Sequence, residues 1–154
     1  GAPAYRLGSG DDVRIAVFAQ PDLSGVFSVG VDGFISFPLI GSIDASGKSL
    51  SELATDIAAE LRAGFVAKPS VTAEIAKYRP FYVLGEVRDP GAYPFAPGMT
   101  ALKAVASAGG FSYRANQDKA FVVRTDEDGE KRIPVDNKTP LRPGDTLWVP
   151  ERLF

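Results

Sequence analysis

Two Asp-Gly dipeptides, each set between runs that alternate apolar and polar residues, constrain this chain more than any other feature: Asp32-Gly33 and Asp128-Gly129. A period of two marks a half-buried strand, and Asp-Gly between two such runs marks a β-hairpin. At the first, the loop length decides which residues share a face. A two-residue turn at Asp32-Gly33 would pair Val29 with Ser36 and send Ile35 to the opposite face. A three-residue loop, Val31-Asp32-Gly33 with a left-handed glycine, pairs Val29 with Ile35 and Phe27 with Phe37. That register builds one continuous apolar face, so the bulged loop is expected. The same loop length at Glu127-Asp128-Gly129 pairs Val123 with Ile133 and Phe121 with Val135.

Two helices interrupt the strands. Ser49 and Glu52 have the spacing of a capping box, and Leu50, Leu53, Ala54, Ile57, Ala58 and Leu61 recur at helical intervals before Gly64. Thr100 caps a shorter helix with Leu102, Val105 and Ala106 expected inward and Gly109-Gly110 as its stop. Further strands are expected at Val13 to Phe18, Ser70 to Lys77, Phe81 to Val87, Ala92 to Phe95 and Thr146 to Val149. Strands outnumber helices, and the fold class is α+β. The Lys77-Tyr78-Arg79-Pro80 stretch is the expected boundary, giving domains 1–78 and 79–154 packed against each other.

Composition excludes several chemistries. The 154 residues include no cysteine and no histidine, so a Ser-His-Asp triad, a thiolate nucleophile and an imidazole or thiolate zinc site are ruled out. Seventeen basic against nineteen acidic residues give no basic field for nucleic acid. No stretch approaches the roughly 20 apolar residues of a membrane-spanning helix. Gly1-Ala2-Pro3-Ala4 has neither the charged nor the apolar region of a signal peptide, which leaves open an upstream leader with a lipid-bearing cysteine.

An ordered series of motifs runs the length of the chain. Tyr5-Arg6-Leu7-Gly8-Ser9-Gly10-Asp11 resembles the opening motif of the polysaccharide export family, the Wza-like outer-membrane polysaccharide exporters, and Val31-Asp32-Gly33-Phe34-Ile35-Ser36-Phe37-Pro38-Leu39-Ile40-Gly41 continues the likeness. Val83-Leu84-Gly85-Glu86-Val87, Pro90-Gly91-Ala92-Tyr93, Ala108-Gly109-Gly110-Phe111 and Arg142-Pro143-Gly144-Asp145 resemble a soluble-ligand-binding β-grasp (SLBB) module. The resemblance implies an export domain, a sheet-and-helix module, followed by one ubiquitin-like β-grasp domain. It implies a non-catalytic periplasmic component of a capsular or exopolysaccharide export channel, without a cofactor. The implied partners are further copies in a ring, the polysaccharide itself, an inner-membrane copolymerase or tyrosine autokinase, and a separate outer-membrane barrel. Outer-membrane attachment through an upstream lipid anchor belongs to the same expectation. The alternative reading is a periplasmic adaptor that binds a saccharide or small ligand and forms no conduit.

Residue by residue, most motif positions read as turns. Gly8, Gly10 and Asp11 precede a strand rather than a helix, so they suit a tight turn closed by the aspartate and not a phosphate loop. Gly144-Asp145 reads the same way, and Asp32, Gly33, Gly41, Gly85, Gly91, Gly109 and Gly110 are further turn positions. Asp11-Asp12 with Glu86 lacks the pattern of a glycosidase carboxylate pair. Asp126, Glu127 and Asp128 lack the ligand spacing of a calcium loop and suit a solvated hairpin tip. Aromatic rings with polar rims suit sugar faces, which draws attention to Tyr78, Tyr82, Tyr93, Tyr113 and Trp148, although most of these are expected as core or sheet-face residues and Trp148 as packing in a terminal strand. Tyr113 with Arg114, on a loop past the glycine stop, is the strongest candidate for touching polymer or partner. Tyr93 and Phe65 are further candidates; Phe65, at a helix exit, is expected first as core packing and alternatively as an oligomer anchor.

Overall fold

Val13, Ile15 and Val17 alternate with Arg14 and Ala16, so strand β1 (Asp12–Val17) buries one face completely. The computed structural model describes residues 5–126 and 128–153. Within them the chain divides into two compact units, the first ending at Tyr78 and the second beginning at Arg79. Two helices and several sheets make the protein α+β.

In the first unit β1 is the middle strand of an antiparallel sheet, between β2 (Gly25–Ser28) and β5 (Val71–Lys77). Strands β3 (Phe34–Phe37) and β4 (Gly41–Asp44) form a separate ribbon in which Ile35 faces Ile43. Helix α1 (Leu50–Arg62) presents Leu53, Ile57 and Leu61 to the same core, each fully buried. Burying each such side chain stabilises by about 1.5–3 kcal/mol. Ser49 Oγ accepts from Glu52 N at 3.1 Å, as an N-cap should. The reciprocal half of the capping box is diverted, because the Glu52 carboxylate accepts from Arg6 Nη1 at 2.8 Å.

The first expected hairpin is present only at its turn. Gly30 N donates to Phe34 O at 2.9 Å, and the Phe27 and Phe37 rings lie 5.0 Å apart. Beyond the turn the strands part, β2 running along β1 and β3 along β4 through four residue pairs each. Each strand thus gains a ladder of its own, while Val29, Ile35 and Phe37 still enter one core. Strand β4 was not expected, since Gly41-Ser42-Ile43-Asp44 carries a single large apolar residue.

The second unit is a five-stranded mixed sheet in the order β7-β6-β10-β8-β9 with helix α2 (Ala101–Ser107). Its strands are β6 (Phe81–Gly85), β7 (Gly91–Tyr93), β8 (Phe121–Asp126), β9 (Gly129–Pro134) and β10 (Thr146–Val149). The β6–β10 pair is parallel and the other three are antiparallel. Val83, Leu147, Val122 and Ile133 lie opposite one another across four strands, and their row joins the core shared with α2. The helix turns Ala101, Ala104 and Val105 inward, whereas Leu102 and Ala106, expected inside, are exposed. The three small or β-branched side chains form the i, i+3, i+4 set, and their low bulk lets the helix sit close to the sheet.

The β8–β9 hairpin corrects the expected register. Val122 faces Ile133, Val123 faces Arg132 and Phe121 faces Pro134, so two residues rather than three connect the strands. Glu127, in the expected loop, lies outside the described residues. Burial explains the choice: Val135 N donates to Ala120 O, extending a ladder that sets Ala120, Val122, Ile133 and Val135 on the core face. The three-residue loop would have placed Val123 and Phe121 there instead.

Candidate functional site

The Tyr113–Arg114 pair lies on the exposed loop after α2. Gly109 and Gly110 end the helix, and Gly110 O accepts from Arg88 N at 3.0 Å. Ser112 then ties the loop to the strand side, its Oγ donating to Glu86 Oε2 at 2.8 Å and its N to Glu86 O at 3.0 Å. The following turn is laced to the segment leaving β10. Asn116 N donates to Pro150 O at 2.8 Å, Arg152 N donates to Arg114 O at 2.7 Å, and Ala115 bridges Glu151.

On this frame Tyr113 stands 77% exposed. Arg114 Nε donates to the Tyr113 hydroxyl at 3.1 Å, and its guanidinium carbon lies 5.6 Å from the ring centroid. Its Nη1 also reaches Glu151 Oε1 at 3.6 Å. The next residues, Ala115 to Asp118, line an open depression of about 570 Å³ together with Arg152 and Leu153. Amides, a guanidinium and a carboxylate around an open floor can exchange hydrogen bonds with a hydroxyl-rich ligand, and the neighbouring ring offers an apolar face. The set contains no activated nucleophile and no acid–base couple.

Of the other candidates, Phe65 is 53% exposed past the end of α1, where its N donates to Leu61 O at 2.9 Å. Tyr93 is half-buried against Phe81, with its ring 6.1 Å away, and its hydroxyl donates to Asp89 O. Tyr78 packs edge-on against Tyr5 at 5.1 Å.

The turn residues reveal one device used twice. Asp11 is fully buried, its Oδ2 accepting from Gly8 N at 3.0 Å and from the Tyr5 hydroxyl at 2.7 Å, while its own N donates to Gly8 O at 3.1 Å. Asp145, 1% exposed, repeats the pattern: Oδ2 accepts from Arg142 N at 2.7 Å, and its N donates to Arg142 O at 3.1 Å. Each aspartate follows a glycine at positive φ, Gly10 at 98° and Gly144 at 84°, and each turn begins after a buried leucine, Leu7 or Leu141. These carboxylates are engaged within the fold by backbone amides and side-chain donors. Asp32 Oδ1 similarly accepts from Phe34 N, and Gly33 O takes bonds from Ala45 N and Ser46 N. Gly41 opens β4 and Gly91 opens β7. At Gly85 (φ 89°) a Cβ would lie 2.1 Å from Val149 O, so only glycine fits that crossing of β6 and β10.

Arg124 is the residue the sequence reading missed. Its guanidinium meets Asp145 with two bonds, and that contact raises its pKa above the ordinary arginine value against the opposing effect of burial. A signal was present. Arg124 stands two residues after Val122, in phase with the buried side of β8, where a charge requires a partner.

The carboxylates considered for catalysis are engaged elsewhere: Asp12 accepts from Ser28 Oγ at 2.6 Å and Glu86 from Ser112. Among the described residues no three acidic side chains gather in a group that could hold a metal ion. At the β8–β9 tip Lys131 reaches Asp126 at 3.0 Å and Asp128 at 3.7 Å. Among the described residues no helix is long and apolar enough to cross a membrane.

Residues 1–76 match the polysaccharide biosynthesis/export protein family, and residues 80–136 match the SLBB domain. The chain is similar to the exopolysaccharide production protein ExoF of Rhizobium meliloti, 36% identical over 152 residues that cover 91% of this chain and 36% of the relative. It is also similar to the EPS I polysaccharide export outer membrane protein EpsA of Ralstonia solanacearum, 30% identical over 138 residues, 72% of this chain and 36% of the relative. The polysialic acid transport protein KpsD of Escherichia coli is 27% identical over 110 residues, 70% of this chain and 20% of the relative. The chain thus spans between a fifth and somewhat over a third of the length of these relatives.

Proposed function

The chain belongs to the polysaccharide biosynthesis/export family, with an SLBB domain in its second half, and from that premise we propose that it is a non-catalytic component of an exopolysaccharide or capsule export channel. One observation carries the reading: the two family matches follow each other in order, and each falls within one of the two compact units. In this reading the protein works in the periplasm, beside an inner-membrane copolymerase or tyrosine autokinase and an outer-membrane component. Copies contact head-to-tail, and a rotation that closes makes a ring around the polymer's route. The second unit is read as a β-grasp, supported by its mixed sheet, parallel β6–β10 pair and single helix. The domains are proposed to run over 1–78 and 79–154.

Three groups of residues have roles in this proposal. The turn positions from Gly8 to Asp145 keep the protomer's shape. Tyr113 and Arg114 present a contact for polymer or a neighbouring chain, and Phe65 anchors a neighbour. Tyr93, with its hydroxyl already bonded, contributes the edge of a contact at most.

Deleting the gene and measuring surface and released polysaccharide tests the reading, with export expected to stop and to return on complementation. In-cell crosslinking at Phe65 and Tyr113 should give a ladder of homo-oligomers. Unchanged export after deletion overturns the proposal. Lost export with a strictly monomeric crosslinking pattern favours the ligand-binding adaptor.

A further inference from the structure

The face of the second unit's sheet opposite its core row carries rings and a cation. Tyr82 and Trp148 alternate with buried neighbours on β6 and β10, and each is 40% exposed. Leu84, Trp148, Phe121 and Pro134 lie opposite one another on successive strands, a second row crossing the sheet parallel to the buried one. Neighbouring strands are about 4.8 Å apart, so the row is a track roughly 14 Å long. At its β9 end Arg132 lies over the Phe121 ring, 4.5 Å from its centroid. There the track opens into a depression of about 350 Å³ lined by Lys119, Phe121, Arg132 and Pro134, with Asp118 also on the lining.

We propose that this outer face binds an acidic sugar chain, with uncharged ring faces stacked along the Trp148 row and a carboxylate held by Arg132 and Lys119. Arg132 has no acidic partner among the described residues. Covering it with an apolar or neutral partner would strand a charge, whereas a carboxylate makes a planar two-bond contact with a guanidinium and offsets the desolvation. The stacked Phe121 ring holds the guanidinium in place before the ligand arrives. Two cations against Asp118 leave the lining positive, which complements an anion. The choice of a sugar chain over an acidic peptide rests on the export reading above, and the exposed Tyr82 and Trp148 rings suit it.

The chain's single tryptophan is Trp148, so its fluorescence reports on the track alone. The full chain is titrated with an oligogalacturonate and, separately, with a neutral maltooligosaccharide of equal length. The oligogalacturonate should shift Trp148 emission saturably, more weakly as salt rises, and the neutral chain should bind at least about tenfold more weakly. Arg132→Gln should lose about tenfold in affinity with the circular dichroism spectrum unchanged, and Arg132→Lys should recover part of it. Trp148→Ala, followed by calorimetry, should also weaken binding. The proposal is overturned if emission does not respond, if both sugars act alike, or if Arg132→Gln binds as the parent does. It is overturned equally if emission changes with protein concentration alone, which would mean that a second copy covers the face. Failure here with export lost on gene deletion leaves the export reading intact. Binding here with export unaffected by deletion removes that reading alone.

Discussion

Asp145 holds the Arg124 guanidinium by two parallel hydrogen bonds, Nε to Oδ1 at 2.9 Å and Nη2 to Oδ2 at 2.8 Å, joining β8 to the turn that starts β10. The same carboxylate accepts from Arg142 N, so one buried side chain closes a turn and neutralises an inward charge. Taking away one partner of such a pair leaves the other buried and uncompensated. Asp145→Ala should destabilise the second unit by about 3–5 kcal/mol in urea unfolding. Asp145→Asn keeps an acceptor for Arg142 N and should cost about 1 kcal/mol less than the alanine variant. Equal costs would mean that the backbone bond contributes nothing.

Asp11 performs the backbone half of this task in the first unit, where its carboxylate also accepts from the Tyr5 hydroxyl. Tyr5→Phe removes one hydrogen bond and should cost about 1 kcal/mol. Asp11→Ala leaves Gly8 N without its carboxylate acceptor and should cost about 2–3 kcal/mol, with faster amide exchange across Leu7 to Asp11. Unchanged exchange in that segment would show that the turn holds itself without the carboxylate.

Gly85 and Gly41 both sit at positive φ but differ in what surrounds them. A Cβ at Gly85 meets Val149 O at 2.1 Å, whereas at Gly41 nothing lies within 4 Å. Gly41→Ala should therefore cost only the left-handed backbone term, about 1–2 kcal/mol. Gly85→Ala must also push β10 away from β6 and should exceed about 4 kcal/mol, or leave the second unit unfolded. Thermal unfolding of both variants side by side makes the comparison.

Lys131 lowers the Asp126 pKa below the ordinary aspartate value, chiefly through its hydrogen bond, with the Asp128 backbone N–H acting in the same direction. A carboxyl whose pKa is lower folded than unfolded contributes stability above its unfolded pKa and loses it as pH falls through the folded value. Asp126 should accordingly titrate at lower pH in the parent than in Lys131→Gln, as followed by the carboxyl chemical shift. The variant should also lose less stability than the parent as acid is added. Coincident titration curves would remove the role given to Lys131.

Tyr113→Ala with Arg114→Ala tests the exposed loop without touching the bonds from Ser112 and Asn116 that anchor it. The double variant should keep the parent's melting temperature, since exposed substitutions commonly change stability by less than about 0.5 kcal/mol. Polysaccharide export or in-cell crosslinking at this loop should fall. Parent-like values in both measurements would remove the loop from the contact surface.

Local pattern by itself determined the fold class, both helices, the strand at Thr146 to Val149 and the aspartate-closed turns. Alternation, caps and Gly-Asp spacing act over a few residues and read out directly from the chain. Tertiary structure decided what depends on distant partners: that β2 lies along β1 and not β3, and that Val122 rather than Val123 faces Ile133. It also brought Arg124 to Asp145 and left Trp148 and Arg132 together on an open face. The reason is that a strand's hydrogen-bonding edges carry no address of their own. Which edge they meet, and which face is then covered, depends on how much apolar surface the whole core can bury.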